Sequence, residues 1–293
     1  MCLPFLCVCP YALIQRFRSA FAHPTKKNTT MAQPLPTSPL SNTTPPPQPM
    51  NWFKNGKPAE WSKIDNITLL AQADLLLFIA QMFAPPSAEM QNMLEIEVPD
   101  IKELLQKSGL SEPNRLEEIF QQIRQQAQTI NLDIWAGEYN RLFETNVACP
   151  INETGIIRRD KGVILADITG FYNAFGFKLS EEASEKADHL TGELEFVALL
   201  LVMLAQTQDE EALRITHNAL SSFSFDHLGD WLPTFCERLT DTTFLPIYQH
   251  FAQLLQMAWS EIVAINHLPM PEREINELAE DDGTPYECSM AGD

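Results

Sequence analysis

One stretch, Ala183 to Ala205, limits what this chain can fold into more than any other. Ala183, Ala187, Leu190, Leu194, Val197, Leu201 and Leu204 recur at alternating spacings of four and three, which puts them on one face of an α-helix. Phe196, Leu199 and Met203 form a second apolar face across the cylinder, with His189 one long repeat earlier on that same side. A helix that is apolar on two faces has to be surrounded by other helices, so this segment predicts the centre of a bundle. Asp188 and His189 then fall in its first turns, near the bundle's end, where a polar pair reaches a groove between neighbours.

The rest of the chain keeps the same period. From Trp61 onward no segment shows the sustained apolar and polar alternation of a half-buried strand. Asp65 opens a helix carrying Leu75, Leu76, Phe78, Ile79 and Phe83 that Pro85 and Pro86 stop. Further helices are predicted from Pro99 to Gly109, from Pro113 through Ile123, and over 132–144, 162–175, 210–220, 227–239 and 245–265. The connections are short, so the expected fold is all-α, a single compact helical bundle over residues 61–268.

Two flanks differ from this body. Residues 1–60 hold 11 of the 21 Pro among Ser, Thr, Asn and Gln, a composition that buries too little apolar surface to fold and predicts a disordered segment. Residues 269–293 carry eight Asp and Glu against Arg273 and predict a flexible acidic tail.

Charge and motifs exclude several functions. Residues 61–293 hold 14 Lys and Arg against 38 Asp and Glu, a net −24 that repels nucleic-acid phosphates and anionic membrane surfaces and attracts a basic polypeptide. The longest apolar run, Phe196 to Ala205, is ten residues, half of what a membrane-crossing helix needs. In the first residues the apolar Cys2–Ile14 stretch precedes Arg16 and Arg18, the reverse of an export signal, which points to the cytoplasm. Scattered cysteines without a CxxC pair fit reduced thiols there, and no pair of His has helical metal-ligand spacing. There is no phosphate loop, GxGxxG, HExxH or GxSxG. The expectation is a protein that is not an enzyme and holds no cofactor or metal.

Taken alone, Asp188 and His189 read as helix capping: an acid favouring the helix dipole and a histidine held by a backbone carbonyl. Asp226-His227-Leu228 repeats the phrase, as though one helix-start device were used twice. Core packing accounts for Tyr139, Leu142 and Phe143 and for Phe171, Tyr172 and Phe175, with Glu138 and Arg141 as a surface pair.

Taken in order, five blocks go further: Glu138-Tyr-Asn-Arg-Leu-Phe143, Cys149-Pro-Ile-Asn-Glu-Thr154, Ala166-Asp-Ile-Thr-Gly-Phe-Tyr-Asn-Ala-Phe-Gly176, Asp188-His-Leu-Thr-Gly-Glu-Leu-Glu-Phe196, and Phe223 through Asp226-His-Leu228, Trp231, Pro233 and Phe235. Their order and spacing over residues 65–265 resemble the TorD/DmsD family of cytoplasmic molybdoenzyme maturation chaperones. The resemblance implies an all-helical chaperone that binds the twin-arginine leader of a molybdopterin oxidoreductase catalytic subunit and holds the apo-enzyme until its cofactor is inserted. It implies signal-peptide binding at Asp188, His189 and Leu190, with Glu193 and Glu195 and the Cys149–Thr154 loop alongside. Ile151-Asn152 departs from the Pro-Tyr common at this point of the family's loop.

The expected mechanism joins charge to shape: leader arginines pair with carboxylates of the acidic body while the leader's apolar stretch enters a groove. Alanine at both Asp188 and His189 is expected to weaken leader binding with little change in helicity or melting. The competing readings are an accessory helical subunit or scaffold of an oxidoreductase complex, and a nucleotide hydrolase, against which the missing phosphate loop counts. The bundle is expected as a monomer or as a helix-swapped dimer.

Overall fold

The computed structural model describes residues 64–94, 98–145, 147–178 and 186–271. The expected disordered segment 1–60 lies outside the described residues, as does the acidic tail beyond Pro271.

Helix α1, Asn66–Met82, starts where the Asp65 carboxylate accepts the N–H groups of Ile67 and Thr68 at 3.0 and 3.3 Å. It is followed by α2, Ala88–Leu94, and α3, Val98–Lys107. Helix α4, Pro113–Thr129, carries its Pro in the first turn, where no N–H is missed. The loop before it is tied down by Glu261, whose carboxylate accepts the N–H groups of Ser111 and Glu112. Asn131 caps α5, Leu132–Tyr139, which widens into a π-turn over Asn140–Glu144. A single turn, α6 (Glu153–Ile156), precedes α7, Lys161–Ala174, capped by Asp160. Then come α8, Leu190–Gln206, and α9, Glu210–Phe223. A second π-turn, Ser224–Leu228, feeds α10, Gly229–Thr242, and α11, Pro246–Ile265, closes the bundle. Gly229 is required here, because any Cβ at this position would strike the Ser224 carbonyl oxygen that the wide turn brings close.

The described residues form no strand, and the all-α expectation holds. Helix α8 is the hub, packed most extensively on α1 and then on α9, while α11 lies on α4 and α10. Leu190, Leu194, Val197, Leu201 and Leu204 are buried as the first stripe predicts. On the other side Phe196 is fully buried in a nest of Phe171, Tyr172, Phe175, Phe177 and Phe223, with ring centroids 4.8–6.3 Å away. Leu199 and Met203 are only half-buried, and Leu200 takes the core position instead.

Three expectations are corrected. Helix α8 starts at Leu190, not Ala183: Ala183 lies outside the described residues, Ala187 and Asp188 form a turn, and His189 is the N-cap. Asp188 and His189 are therefore not in the helix's first turns. The second Asp-His-Leu is not a helix start either, because residues 226–228 sit inside the π-turn joining α9 to α10. Helices α2 and α6 had no counterpart in the sequence reading, α6 being one turn held from outside by a residue remote in sequence.

Candidate functional site

The site is built on the segment from Cys149 to Asp160. At its start Cys149 and Ile151 are buried, and burial pushes the Cys149 thiol up to about 12, so it is inert packing. The segment then pairs with the turn before α8. Asn152 and His189 form an isolated antiparallel bridge, in which Leu190 N–H donates to the Ile151 carbonyl at 3.1 Å and Glu153 N–H to the Asp188 carbonyl at 3.0 Å. Gly155 lies against the Pro150 ring, where a Cβ would collide.

Asp188 completes this join with its side chain. Fully buried, its carboxylate accepts the Thr154 N–H at 3.0 Å on one oxygen and the Asn152 amide at 3.3 Å on the other. His189 turns the other way, its Nδ1 accepting the Thr191 N–H at 3.3 Å and lying 2.7 Å from the Thr191 hydroxyl. The histidine is thus the cap of α8, while the aspartate holds the loop. Leu190 is core. Glu193 is fully buried: one oxygen accepts the Trp231 indole N–H at 3.0 Å, and the other has no partner among the described residues. Glu195 is half-buried at the edge.

Behind the loop lies a charged seam that sequence reasoning did not single out. Glu153, 0% exposed, meets His227 Nδ1 at 2.9 Å through Oε2 and Arg159 Nη2 at 3.3 Å through Oε1. Arg159 also donates to the Asp230 carboxylate at 2.8 Å and to the Asp226 carbonyl at 3.1 Å. On its far side His227 Nε2 is 3.6 Å from the Asp167 carboxylate, an ion-pair distance. Burial alone pushes His227 down, but the Asp167 and Glu153 carboxylates facing its two ring nitrogens raise it to about 9. The imidazole is therefore a cation at neutral pH. Burial, with the Glu153 charge adding to it, drives Glu193 well above the ordinary carboxyl range, toward the neutral acid. Tyr172 anchors the same region by donating its hydroxyl to the Ala187 carbonyl at 2.9 Å.

These contacts bring four of the five sequence blocks to one place: the Cys149–Thr154 loop, Asp167 and Tyr172 on α7, the start of α8, and the π-turn with α10. The remaining block has its own task. Glu138 pairs with Arg141 at 2.7 Å and accepts the Phe244 N–H at 2.7 Å and the Thr243 hydroxyl at 3.0 Å, fixing the α10–α11 corner. Burial alone pushes the Glu138 carboxyl up, but the Arg141, Phe244 and Thr243 hydrogen bonds hold it below its ordinary value. The pair is thus a largely buried clamp rather than the expected surface pair, with the Arg141 guanidinium 4.1 Å over the Phe244 ring. Among the described residues no group of His, Cys, Asp and Glu is arranged to hold a metal ion, and no helix is long and apolar enough to cross a membrane.

Comparison with known proteins gives this geometry a lineage. Residues 101–237 match the family described as nitrate reductase delta subunit. The chlorate reductase assembly chaperone of Ideonella dechloratans is 30% identical over 188 residues, 62% of this chain and 83% of that protein. The chain belongs to the TorD family of redox-enzyme maturation chaperones. Shorter stretches are similar to a TorD chaperone of Vibrio cholerae, 34% identical over 82 residues (28% of this chain, 37% of that one). The selenate reductase assembly chaperone of Thauera selenatis is 40% identical over 80 residues, 27% of this chain and 42% of that one. These relatives are named as chaperones, not catalysts. In this TorD-family member the clamped loop covers a seam whose inner members, Glu153, His227 and Asp188, are buried and whose outer members, Arg159, Asp230 and Asp167, are partly exposed.

Proposed function

We propose that this chaperone binds the twin-arginine leader and the apo form of a molybdopterin oxidoreductase catalytic subunit in the cytoplasm, assists cofactor insertion, and withholds the subunit from export until that is complete. The observation that carries the reading is the Asp188 clamp, which joins the loop 149–157 to the start of α8 and so gives a peptide a fixed edge to lie along. Asp188, Leu190 and Glu193 act here by shaping that edge from within, His189 by starting α8, and Glu195, half-buried, by facing the incoming chain. A net −24 over residues 61–293 supports a cationic ligand. Rim charge mainly speeds encounter, and apolar contact supplies the affinity.

The test is titration with a synthetic peptide carrying two consecutive Arg followed by an apolar stretch, alongside pull-down of a cofactor-free molybdopterin subunit. Affinity should fall as salt rises and when the Arg pair becomes Lys. A peptide that does not bind, or binds indifferently to both changes, overturns the reading. The delta-subunit description of the matching family favours one second reading, an accessory subunit that stays with its enzyme. Size-exclusion of the finished oxidoreductase separates them: a chaperone is absent from that assembly and an accessory subunit is present.

A further inference from the structure

Beyond its first turn, where Asn66 and Thr68 are also half-buried, helix α1 shows water a single narrow stripe. Its neighbours α8, α3 and α11 bury most of it, from Leu69 and Ala73 to Ile79 and Met82. Ile67 and Gln81 are exposed and Leu70, Asp74 and Phe78 are half-buried, and at about 100° per residue these five fall within an arc of roughly 80°. The stripe is apolar from Ile67 to Phe78 except at Asp74, and Gln81 ends it. Ile67 is 58% exposed, Leu70 and Phe78 are packed partly on the core, and Phe78 meets the Phe120 ring at 5.6 Å.

Asp74 is the one charged residue in α1. Its carboxylate is half-buried between Leu70 and Phe78, one turn away on either side, and has no hydrogen bond or ion pair among the described residues. A half-desolvated acid without a partner is costly, and a helix otherwise made of apolar, Gln, Asn and Thr residues has no local use for it. Burial alone sets its titration and pushes it up to about 6. The ligand that suits such a place has a weakly hydrated, planar cation flanked by apolar side chains, which is an arginine next to an apolar run.

We propose that the α1 stripe is a docking surface for the client leader, with Asp74 receiving one of its two arginines and Ile67, Leu70 and Phe78 taking the adjoining apolar residues. This rests on the leader-binding reading above and adds to it the position that reads the cation. The charge complementarity of a lone buried-edge acid and an Arg-bearing apolar peptide argues for this occupant over a second copy of the acidic chain.

The experiment is a double-mutant cycle on the full chain, using the synthetic twin-arginine peptide and versions with either Arg replaced by Gln. Asp74→Asn keeps the shape and removes a desolvated charge, so it should melt at or above the parent temperature. It should bind the twin-arginine peptide about tenfold more weakly and lose its preference for one of the two arginines. Unchanged affinity in Asp74→Asn, or equal sensitivity to both peptide replacements in the two proteins, overturns the assignment to Asp74 while the leader-binding reading stands. A peptide that fails to bind the parent protein removes both. A concentration-dependent dimer that Asp74→Asn abolishes without peptide overturns the proposal in favour of a second copy.

Discussion

The buried Asp188 carboxylate accepts the Thr154 backbone N–H at 3.0 Å across 34 residues of chain. It supplies the cap that Asn152, at the proper position before α6, does not give with its own side chain. A one-turn helix cannot persist on its own, so α6 exists because Asp188 is there.

Asp188→Ala should therefore destabilise the protein by about 2 kcal/mol, the scale for losing hydrogen bonds to a charged group. It should also open the loop to trypsin at Arg158 and Arg159. Asp188→Asn, which keeps an acceptor for Thr154, should lose less. This revises the expectation that alanine at 188 and 189 leaves melting unchanged. Limited proteolysis with urea unfolding checks it, and a tight, uncut loop in Asp188→Ala would refute the clamp.

Removing one side of the Glu153–His227 pair should cost more than removing both. Both side chains are shut off from water. Glu153→Gln strands a buried imidazolium and should cost about 3–5 kcal/mol, whereas Glu153→Gln with His227→Asn should recover part of that loss. A double-mutant cycle by denaturant unfolding reads the coupling, and simple additivity would count against a buried ion pair.

The pair also sets an alkaline limit. His227 titrates at about 9 in the fold against about 6.5 unfolded, so between those values the folded state holds the extra proton. Its stabilisation is complete below about pH 6.5 and is lost as pH rises through about 9, amounting to about 3 kcal/mol at most. Glu193 is raised as well, so it adds in the same sense, stability falling as pH climbs above the ordinary carboxyl value. Unfolding at pH 6 to 10 should show the decline, and the His227 ring resonances should titrate near 9. A midpoint near 6.5 would show the seam to be uncharged.

Leu201→Ala should cost about 2–5 kcal/mol through a cavity in the fully buried α8 core, with the affinity of the folded fraction for the peptide unchanged. It separates loss of fold from loss of binding in every comparison above.

Much of this fold is written in local signals. Asp65 and Pro113 announce α1 and α4, and the stripe from Leu190 to Leu204 announces the hub. The start of α8 misled because Ala183 and Ala187 continue the same period, while the turn at Asp188 is set by its bonds to the loop, which no spacing reveals. The π-turns at 140–144 and 224–228 likewise have no period of their own. The resemblance singles out Asp188 for peptide binding, whereas its place as an internal clamp depends on bonds to Asn152 and Thr154 that only the folded chain brings together. Glu153, Arg159, His227 and Asp230 were out of reach, because Glu153 and His227 are 74 residues apart and each looks like capping or surface charge until the chain folds.

The two buried glutamates should respond in opposite ways to the same substitution. Glu153 faces two cations, so its charge is matched. Glu193 faces an indole N–H, has one oxygen without a partner among the described residues, and is driven toward the neutral acid. A glutamine amide reproduces a neutral carboxyl closely, and its oxygen still accepts the Trp231 N–H. Glu193→Gln should thus stabilise the protein at neutral pH, because it removes a carboxyl that is neutral in the fold but ionised in the unfolded chain, and it should flatten the alkaline decline. Trp231 should keep a buried, blue-shifted emission. A loss in Glu193→Gln as large as in Glu153→Gln would mean that Glu193 is ionised in the fold, and that the seam carries one more negative charge than its geometry accommodates.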